Sequence, residues 1–220
     1  VVAKELYRVL CDGGVLCWIV GDSVVDGSET LTSAKQKIFF REQCGFRIHD
    51  TMIYEKGNFS QPESVRYYQT FEYILVLSKG SPRAFNPLVD RKNVWGGKTA
   101  FGKQTRRDAD GTLKETMKVQ KLYSEFGMRS NVWRGNTAGQ ETPCAKDGFQ
   151  HPAMMPFWLA RDLIQSWSNP GDTVLDPFFG SGQVGKAAAL LGRRWLGIEI
   201  NQEYEKLSRE RTAQIGLCLI

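Results

Sequence analysis

One stretch limits what this chain can fold into: Thr173-Val174-Leu175-Asp176-Pro177-Phe178-Phe179-Gly180-Ser181-Gly182. Thr173, Val174 and Leu175 follow the turn Asn169-Pro170-Gly171-Asp172, so a short buried strand is expected there. Gly180 and Gly182 let the backbone turn tightly and approach a ligand without Cβ interference. A helix is expected from about Gln183, since Ala187, Ala188, Ala189, Leu190 and Leu191 are good helix formers. A second strand is expected over 194–200, with Glu199 near its end. The unit is strand, glycine loop, helix, strand.

Two ligand classes suit such a unit. Gly180-Ser181-Gly182-Gln183-Val184-Gly185 matches G-x-G-x-x-G, and Glu199 stands where an acid holds a ribose, as in dinucleotide binders. Asp176 argues against that ligand. It puts a carboxylate at the strand end, where a pyrophosphate would have to lie, and like charges there are costly. S-adenosylmethionine carries a sulfonium and an ammonium and no phosphate, so a carboxylate beside the loop suits it. Glu199 can then accept from the ribose hydroxyls, and Phe178 can cover the adenine.

Asp176-Pro177-Phe178-Phe179-Gly180-Ser181-Gly182 resembles the cofactor motif of the amino-DNA methyltransferases, which methylate N6 of adenine or N4 of cytosine. Their usual form is Asp-Pro-Phe-x-Gly-Ser-Gly-Thr; Gln183 replaces the Thr. Gly192 to Ile200 followed by Tyr204, and His151-Pro152-Ala153 ahead of the motif, are also similar to that family. The resemblance implies a methyltransferase Rossmann-like α/β fold, circularly permuted so that the cofactor motif lies near the C-terminus. It implies S-adenosyl-L-methionine as cofactor, held by Asp176, Pro177, Phe178, Gly180, Ser181, Gly182 and Glu199, with His151 and Pro152 lining its methionine end. Many relatives carry Lys before the next proline; here Met155 precedes Pro156.

The net charge of +5 is unevenly spread. Residues 79–146 hold 14 basic and 6 acidic side chains, a balance of +8, which leaves −3 for the rest. That points to a polyanionic partner for the middle segment. Prolines, glycines and aromatics (Trp95, Phe101, Tyr123, Phe126, Trp133) interrupt it. Basic and aromatic residues on an irregular insertion suit phosphate contacts with stacking beside a displaced base. The family carries its variable target-recognition region here, and Lys98, Lys103, Arg106 and Arg107 are the candidate DNA contacts. The expected division is 1–80 for the first part of the sheet, 81–146 for target recognition and 147–220 for cofactor binding. Cys11, Cys17, Cys44, Cys144 and Cys218 show no C-x-x-C spacing and only His49 and His151 accompany them, so no metal site is expected. The partner implied is double-stranded DNA, with no membrane; homodimer formation is left open, and a bacterial or phage-encoded cytoplasmic protein is expected.

Ahead of the loop, residues 1–10 read as a helix stopped by Asp12-Gly13-Gly14. Val15-Leu16-Cys17-Trp18-Ile19-Val20 is a continuous apolar run, as expected of a strand buried on both faces. Asp22 is read as capping the next helix, expected over 33–44 with Gly45 past its end, and His49 as a half-buried residue of a strand over 46–54. A stronger strand is expected over 71–79 and a helix from Pro152 through Leu159, Leu163, Ile164 and Trp167. The family's catalytic loop is Asp, Ser or Asn followed by Pro-Pro and an aromatic, and all eight prolines here are isolated. The expectation is a fragment with an incomplete sheet, its catalytic residues upstream of Val1 and the chain alone inactive. The function expected of the parent is site-specific methylation of an exocyclic amine in DNA, within restriction-modification. The alternatives are an RNA or small-molecule methyltransferase, or a nucleotide- or DNA-binding module without chemistry.

Overall fold

The computed structural model describes residues 1–57, 64–100, 104–116, 121–138 and 154–216. The chain forms two compact units, Val1–Asn86 with Asn131–Ile220, and Pro87–Ser130.

The larger unit begins with α1 (Val2–Val9), which buries Leu6 against Phe40, Phe46, Leu75 and Leu77. The turn at Gly13 (φ +74°) leads into β1 (Val15–Val20), and Gly13 N–H donates to the Lys79 carbonyl at 2.7 Å. A small hairpin of β2 (Val24–Val25) and β3 (Ser28–Glu29) precedes α2 (Thr32–Glu42). Asp22 does cap α2: its carboxylate accepts Ser33 N–H at 2.9 Å and the Ser33 hydroxyl at 2.5 Å. Past α2, Gly45 takes φ +89° and Phe46 N–H returns to the Phe40 carbonyl at 3.1 Å, closing the helix end as glycine caps do.

Then come β4 (Arg47–Lys56), β5 (Phe71–Ser78) and β6 (Val132–Gly135). The sheet order is β1-β5-β4-β6, antiparallel except for the parallel β4/β6 pair. Ile74, Leu75, Val76 and Leu77 are at most 1% exposed, because β5 has a strand on either side and is covered on both faces. The equally apolar β1 is not buried as its sequence predicts; all six residues are half-buried. Its only strand partner among the described residues is β5, and its other edge lines a cavity.

Two other side chains depart from expectation. His49 is exposed rather than half-buried, because the β4 register slips between Ile48 and Asp50; its ring meets Trp167 edge-on at 5.3 Å. Trp133, grouped above with the aromatics of the basic segment, is 5% exposed and pairs with Tyr54 across β6 and β4, so it is a core residue of the sheet.

The cofactor-motif half follows as α3 (Phe157–Trp167), β7 (Thr173–Asp176), α4 (Gln183–Leu190), β8 (Arg194–Gly197) and α5 (Gln202–Gly216). Helix α3 starts at Phe157, with Pro156 at an extended ψ of 138° ahead of the first turn; Pro152, where a start was expected, lies outside the described residues. It buries Leu159, Leu163 and Ile164 as expected. β7 and β8 pair in parallel, Thr173 opposite Arg194 through Asp176 opposite Gly197. Ala160 and Ile164 of α3 meet Ala187 and Ala188 of α4, where small side chains let two helices approach closely.

The smaller unit is more regular than its composition suggests. Three antiparallel ladders nest in chain order: 91–92 with 126–127, 99–100 with 121–122, and 104–107 with 113–116. The segment runs out and back as one ribbon. Asp108 and Gly111 close its tip, Asp110 accepts Thr112 N–H, and Lys114 pairs with Asp108 at 2.7 Å. No helix among the described residues is long and apolar enough to cross a membrane, and no cluster of metal-ligating side chains occurs among them.

Candidate cofactor site

The loop after β7 is built from backbone turns fixed by two carboxylates. Asp176 Oδ1 accepts Phe178 N–H at 3.0 Å, which folds the chain back at the strand end. Glu199, just past β8, accepts Gly180 N–H at 2.6 Å through one oxygen and Asn201 N–H at 2.9 Å through the other. Glu199 therefore ties the glycine loop to the entry of α5, whose first turn Asn201 caps through Glu203 N–H at 2.8 Å. Gly182 stands at the N-cap of α4 with φ +77°, and a Cβ there would lie 3.0 Å from Ser208 Cβ of α5.

Phe178 and Phe179 take opposite roles. Phe179 is 7% exposed, stacks on Trp195 at 5.1 Å and 11°, and fills the space that Cβ atoms on Gly185 and Gly197 would need. Phe178 is 62% exposed and meets Trp18 in a T-shaped pair, ring centroids 5.9 Å apart. Much of its ring is thus exposed beside the loop.

Asp176, Pro177, Phe178, Gly180 and Ser181 line one end of a cavity of about 790 Å³; β1, α1, α3 and β7 supply its apolar walls. That volume is in the range of small-molecule sites. Burial pushes the Asp176 carboxyl above the usual carboxylate range; the Phe178 N–H partly offsets this, and the charge of Glu199 adds to it. A phosphate would add to that repulsion, whereas a cation relieves it. The residues present therefore fit a sulfonium–ammonium ligand better than a pyrophosphate.

Three groups that the motif does not include also hold the loop. Arg211 on α5 donates from Nη1 to the Ser181 carbonyl at 2.7 Å, and burial lowers its pKa. Ser208, 3% exposed, packs one helical turn away against Gly182. Trp195 backs Phe179. The i, i+3 spacing of Ser208 and Arg211 marks a shared helix face, but nothing in sequence says that this face covers the loop. Of the remaining expected site residues, His151, Pro152 and Lys103 lie outside the described residues, as does the side chain of Arg106. Lys98 and Arg107 are exposed on the ribbon.

A parallel strand–loop–helix–strand with paired acids at its glycine loop, joined to a mixed sheet, defines a methyltransferase Rossmann-like α/β fold. The chain matches the model of the DNA methylase family (N6_N4_Mtase) over residues 1–210 and belongs to that family. S-adenosylmethionine is the methyl donor this family uses. The chain is 49% identical to the orphan methyltransferase M.BamHII of Bacillus amyloliquefaciens over 209 residues, 95% of this chain and 78% of that protein. It is 49% identical over 188 residues to the DNA adenine methyltransferase YhdJ of Escherichia coli (strain K12), 82% of this chain and 58% of that protein. The crystal structure of the M1.HpyAVI–SAM complex shares the fold, with a TM-score of 0.61 at 20% identity over 95% of this chain and 80% of that one.

Proposed function

We propose that this chain holds S-adenosylmethionine at the Asp176–Gly182 loop and belongs to an enzyme that methylates the exocyclic amine of adenine or cytosine in DNA. The observation that carries the reading is the pair of carboxylates at the loop, Asp176 with its ionised form disfavoured and Glu199 on the Gly180 N–H. Asp176 and Glu199 hold the donor's cationic and ribose parts, Phe178 covers its base, and the 87–130 ribbon contacts DNA phosphates. When bound, the donor supplies an electrophilic methyl group. The chain's own part is to orient it and to keep phosphate away from it. Calorimetry with S-adenosylmethionine and with NAD tests this: the first is expected to bind and the second not. Asp176→Ala and Glu199→Ala are each expected to cost about 1.5–3 kcal/mol of binding. Folded variants that bind like the parent would overturn the assignment.

The acceptor amine needs its own positioning groups, which the Pro-Pro-aromatic loop supplies in the resemblance. No such sequence occurs in the 220 residues. Two features support the same reading. β1 and β7 each have a single strand partner among the described residues, and both line the cavity. A strand bearing that loop fits between two such edges. On this reading residues 1–220 alone transfer no methyl group to DNA, since a misplacement of about 1 Å can cost ~100-fold in rate. The assay is tritiated-methyl incorporation by this chain and by one extended at its N-terminus. Turnover by the chain as it stands would refute the claim.

A further inference from the structure

The ribbon of residues 87–130 carries one irregularity that its ladder does not need. Asn93 N–H donates to the Glu125 carbonyl at 2.8 Å, and Tyr123 N–H to the Lys98 carbonyl at 3.1 Å. Between those two rungs, Val94, Trp95, Gly96 and Gly97 on one side oppose Ser124 alone on the other. The excess residues bulge outward, and the side chains at the bulge are apolar: Val94 is 88% exposed and Trp95 is 60% exposed.

The bulge is held rigidly. Gly96 N–H returns to the Asn93 carbonyl at 3.0 Å, Gly97 N–H to the Tyr123 carbonyl at 3.0 Å and Lys98 N–H to the Trp95 carbonyl at 3.1 Å. Asn93 Nδ2 donates to the Ser124 carbonyl at 3.0 Å. Both glycines are required: a Cβ on Gly96 would lie 2.8 Å from Glu125 Cα, and Gly97 takes φ +72°. An indole fixed on a clamped loop and left in solvent is a surface prepared for contact.

Charge selects the partner. Residues 87–130 hold ten basic and five acidic side chains, so this unit carries the whole net +5 of the chain. Arg129 pairs with Asp90, and Arg91 donates to the Met128 carbonyl, so these two tie the ribbon together. Lys92 and Arg107 are exposed without an ion pair among the described residues, and Lys98 Nζ lies 5.6 Å from the centre of the Trp95 ring. Cations track phosphates, and a rigid apolar side chain between them stacks on or wedges between bases.

We propose that the Val94–Trp95 bulge inserts into DNA, with Trp95 stacking on a base, while Lys92, Lys98 and Arg107 hold the flanking phosphates. This rests on the reading of the ribbon as a DNA-contacting element and separates its stacking group from its charged ones. The test is fluorescence anisotropy with duplex DNA over a salt series, and 2-aminopurine emission in the same duplex, using the full chain, W95A, W95F and a Lys92/Lys98/Arg107→Ala variant. W95A is expected to lose roughly five- to a hundredfold in affinity with an unchanged salt slope and a smaller 2-aminopurine signal. W95F is expected to recover most of both. The triple variant is expected to flatten the slope by up to about three units. If W95A matches the parent in affinity and emission while the parent binds with a steep slope, the insertion is wrong and the phosphate reading stands. If the parent shows no salt-dependent binding, both fail. If light scattering shows that W95A changes only self-association, the bulge is a protein contact and the proposal is overturned.

Discussion

Gly197→Ala tests how tightly the cofactor loop depends on the packing beneath it. A Cβ at Gly197 would lie 2.3 Å from Phe179 Cγ and 2.5 Å from both Cδ atoms. Carbon pairs settle at about 3.5–4.0 Å, so the ring must retreat by more than about 1 Å. It has nowhere to go: Trp195 stacks on one side at 5.1 Å, and Gly185, where a Cβ would meet Phe179 Cζ at 2.5 Å, closes another. Overpacking of this kind costs about 1–3 kcal/mol, which for a chain of this size lowers Tm by roughly 2–12 °C. The displacement reaches the loop because Phe179 N–H donates to the Ile198 carbonyl and its own carbonyl accepts Gly182 N–H, each at 2.9 Å. G197A should therefore weaken S-adenosylmethionine binding as well as stability. Phe179→Leu removes the obstructing ring and alone should cost about 1–2 kcal/mol. The G197A/F179L double variant should then cost less than the sum of the two by at least ~1 kcal/mol. Thermal melts and calorimetry on all four proteins read this out. Additive losses would show that the ring does not transmit the change.

Other outcomes follow from single contacts. Because the folded Asp176 pKa is raised, its contribution to stability is full below the unfolded pKa and is lost as pH rises through the folded value. Asp176→Asn should therefore raise the neutral-pH Tm of the ligand-free chain while weakening the methyl donor's binding. Asp22 behaves oppositely: Ser33 holds its carboxyl below the usual range, so its stabilisation is present above the unfolded pKa and lost as pH falls through the folded one. Asp22→Ala should cost about 1 kcal/mol at neutral pH in a denaturant titration, and less in acid. Arg211→Ala should weaken donor binding by roughly 0.5–1.5 kcal/mol through the Ser181 carbonyl, and an unchanged calorimetric affinity would remove that residue from the site.

The parts of the fold that were legible in sequence are those where local chemistry decides. The strand from Thr173 to Asp176, the helix from Gln183 and the Asp22 cap each follow from turns, propensity and a capping acid within a few residues. What failed depends on a neighbour distant in sequence. β1 and β5 are equally apolar, yet only β5 has a strand on both sides. Trp133 reads like Trp95, and nothing local reveals that one joins β4 while the other stands on a ribbon. The ladders between 91 and 127 were hidden by glycines and by strands two to four residues long, too short to show alternation. The site was half-legible for the same reason. Asp176 lies in the motif and Glu199 near the end of the next expected strand, but Arg211 and Ser208 reach the loop from a helix that the motif does not include.

Charge is divided sharply between the two parts of the chain. With the whole net charge on residues 87–130, the rest of the chain balances nineteen basic against nineteen acidic side chains. Its glycine loop is bordered by Asp176 and Glu199, so the field there opposes phosphate. On the proposed reading, a DNA backbone is drawn to the ribbon and the loop is left to a cation. The two contacts must then respond differently to salt. The ribbon's cations are exposed, and DNA binding should fall by about 0.9 log units in affinity per phosphate neutralised for each tenfold rise in salt. Asp176 is half-buried and desolvated, so its attraction for a cationic ligand is screened less. Across the same series, donor affinity measured by calorimetry should change by less than about threefold while DNA affinity falls by orders of magnitude. Parallel losses would mean that both ligands meet exposed charge, and the assignment of Asp176 to the donor's cationic end would fall.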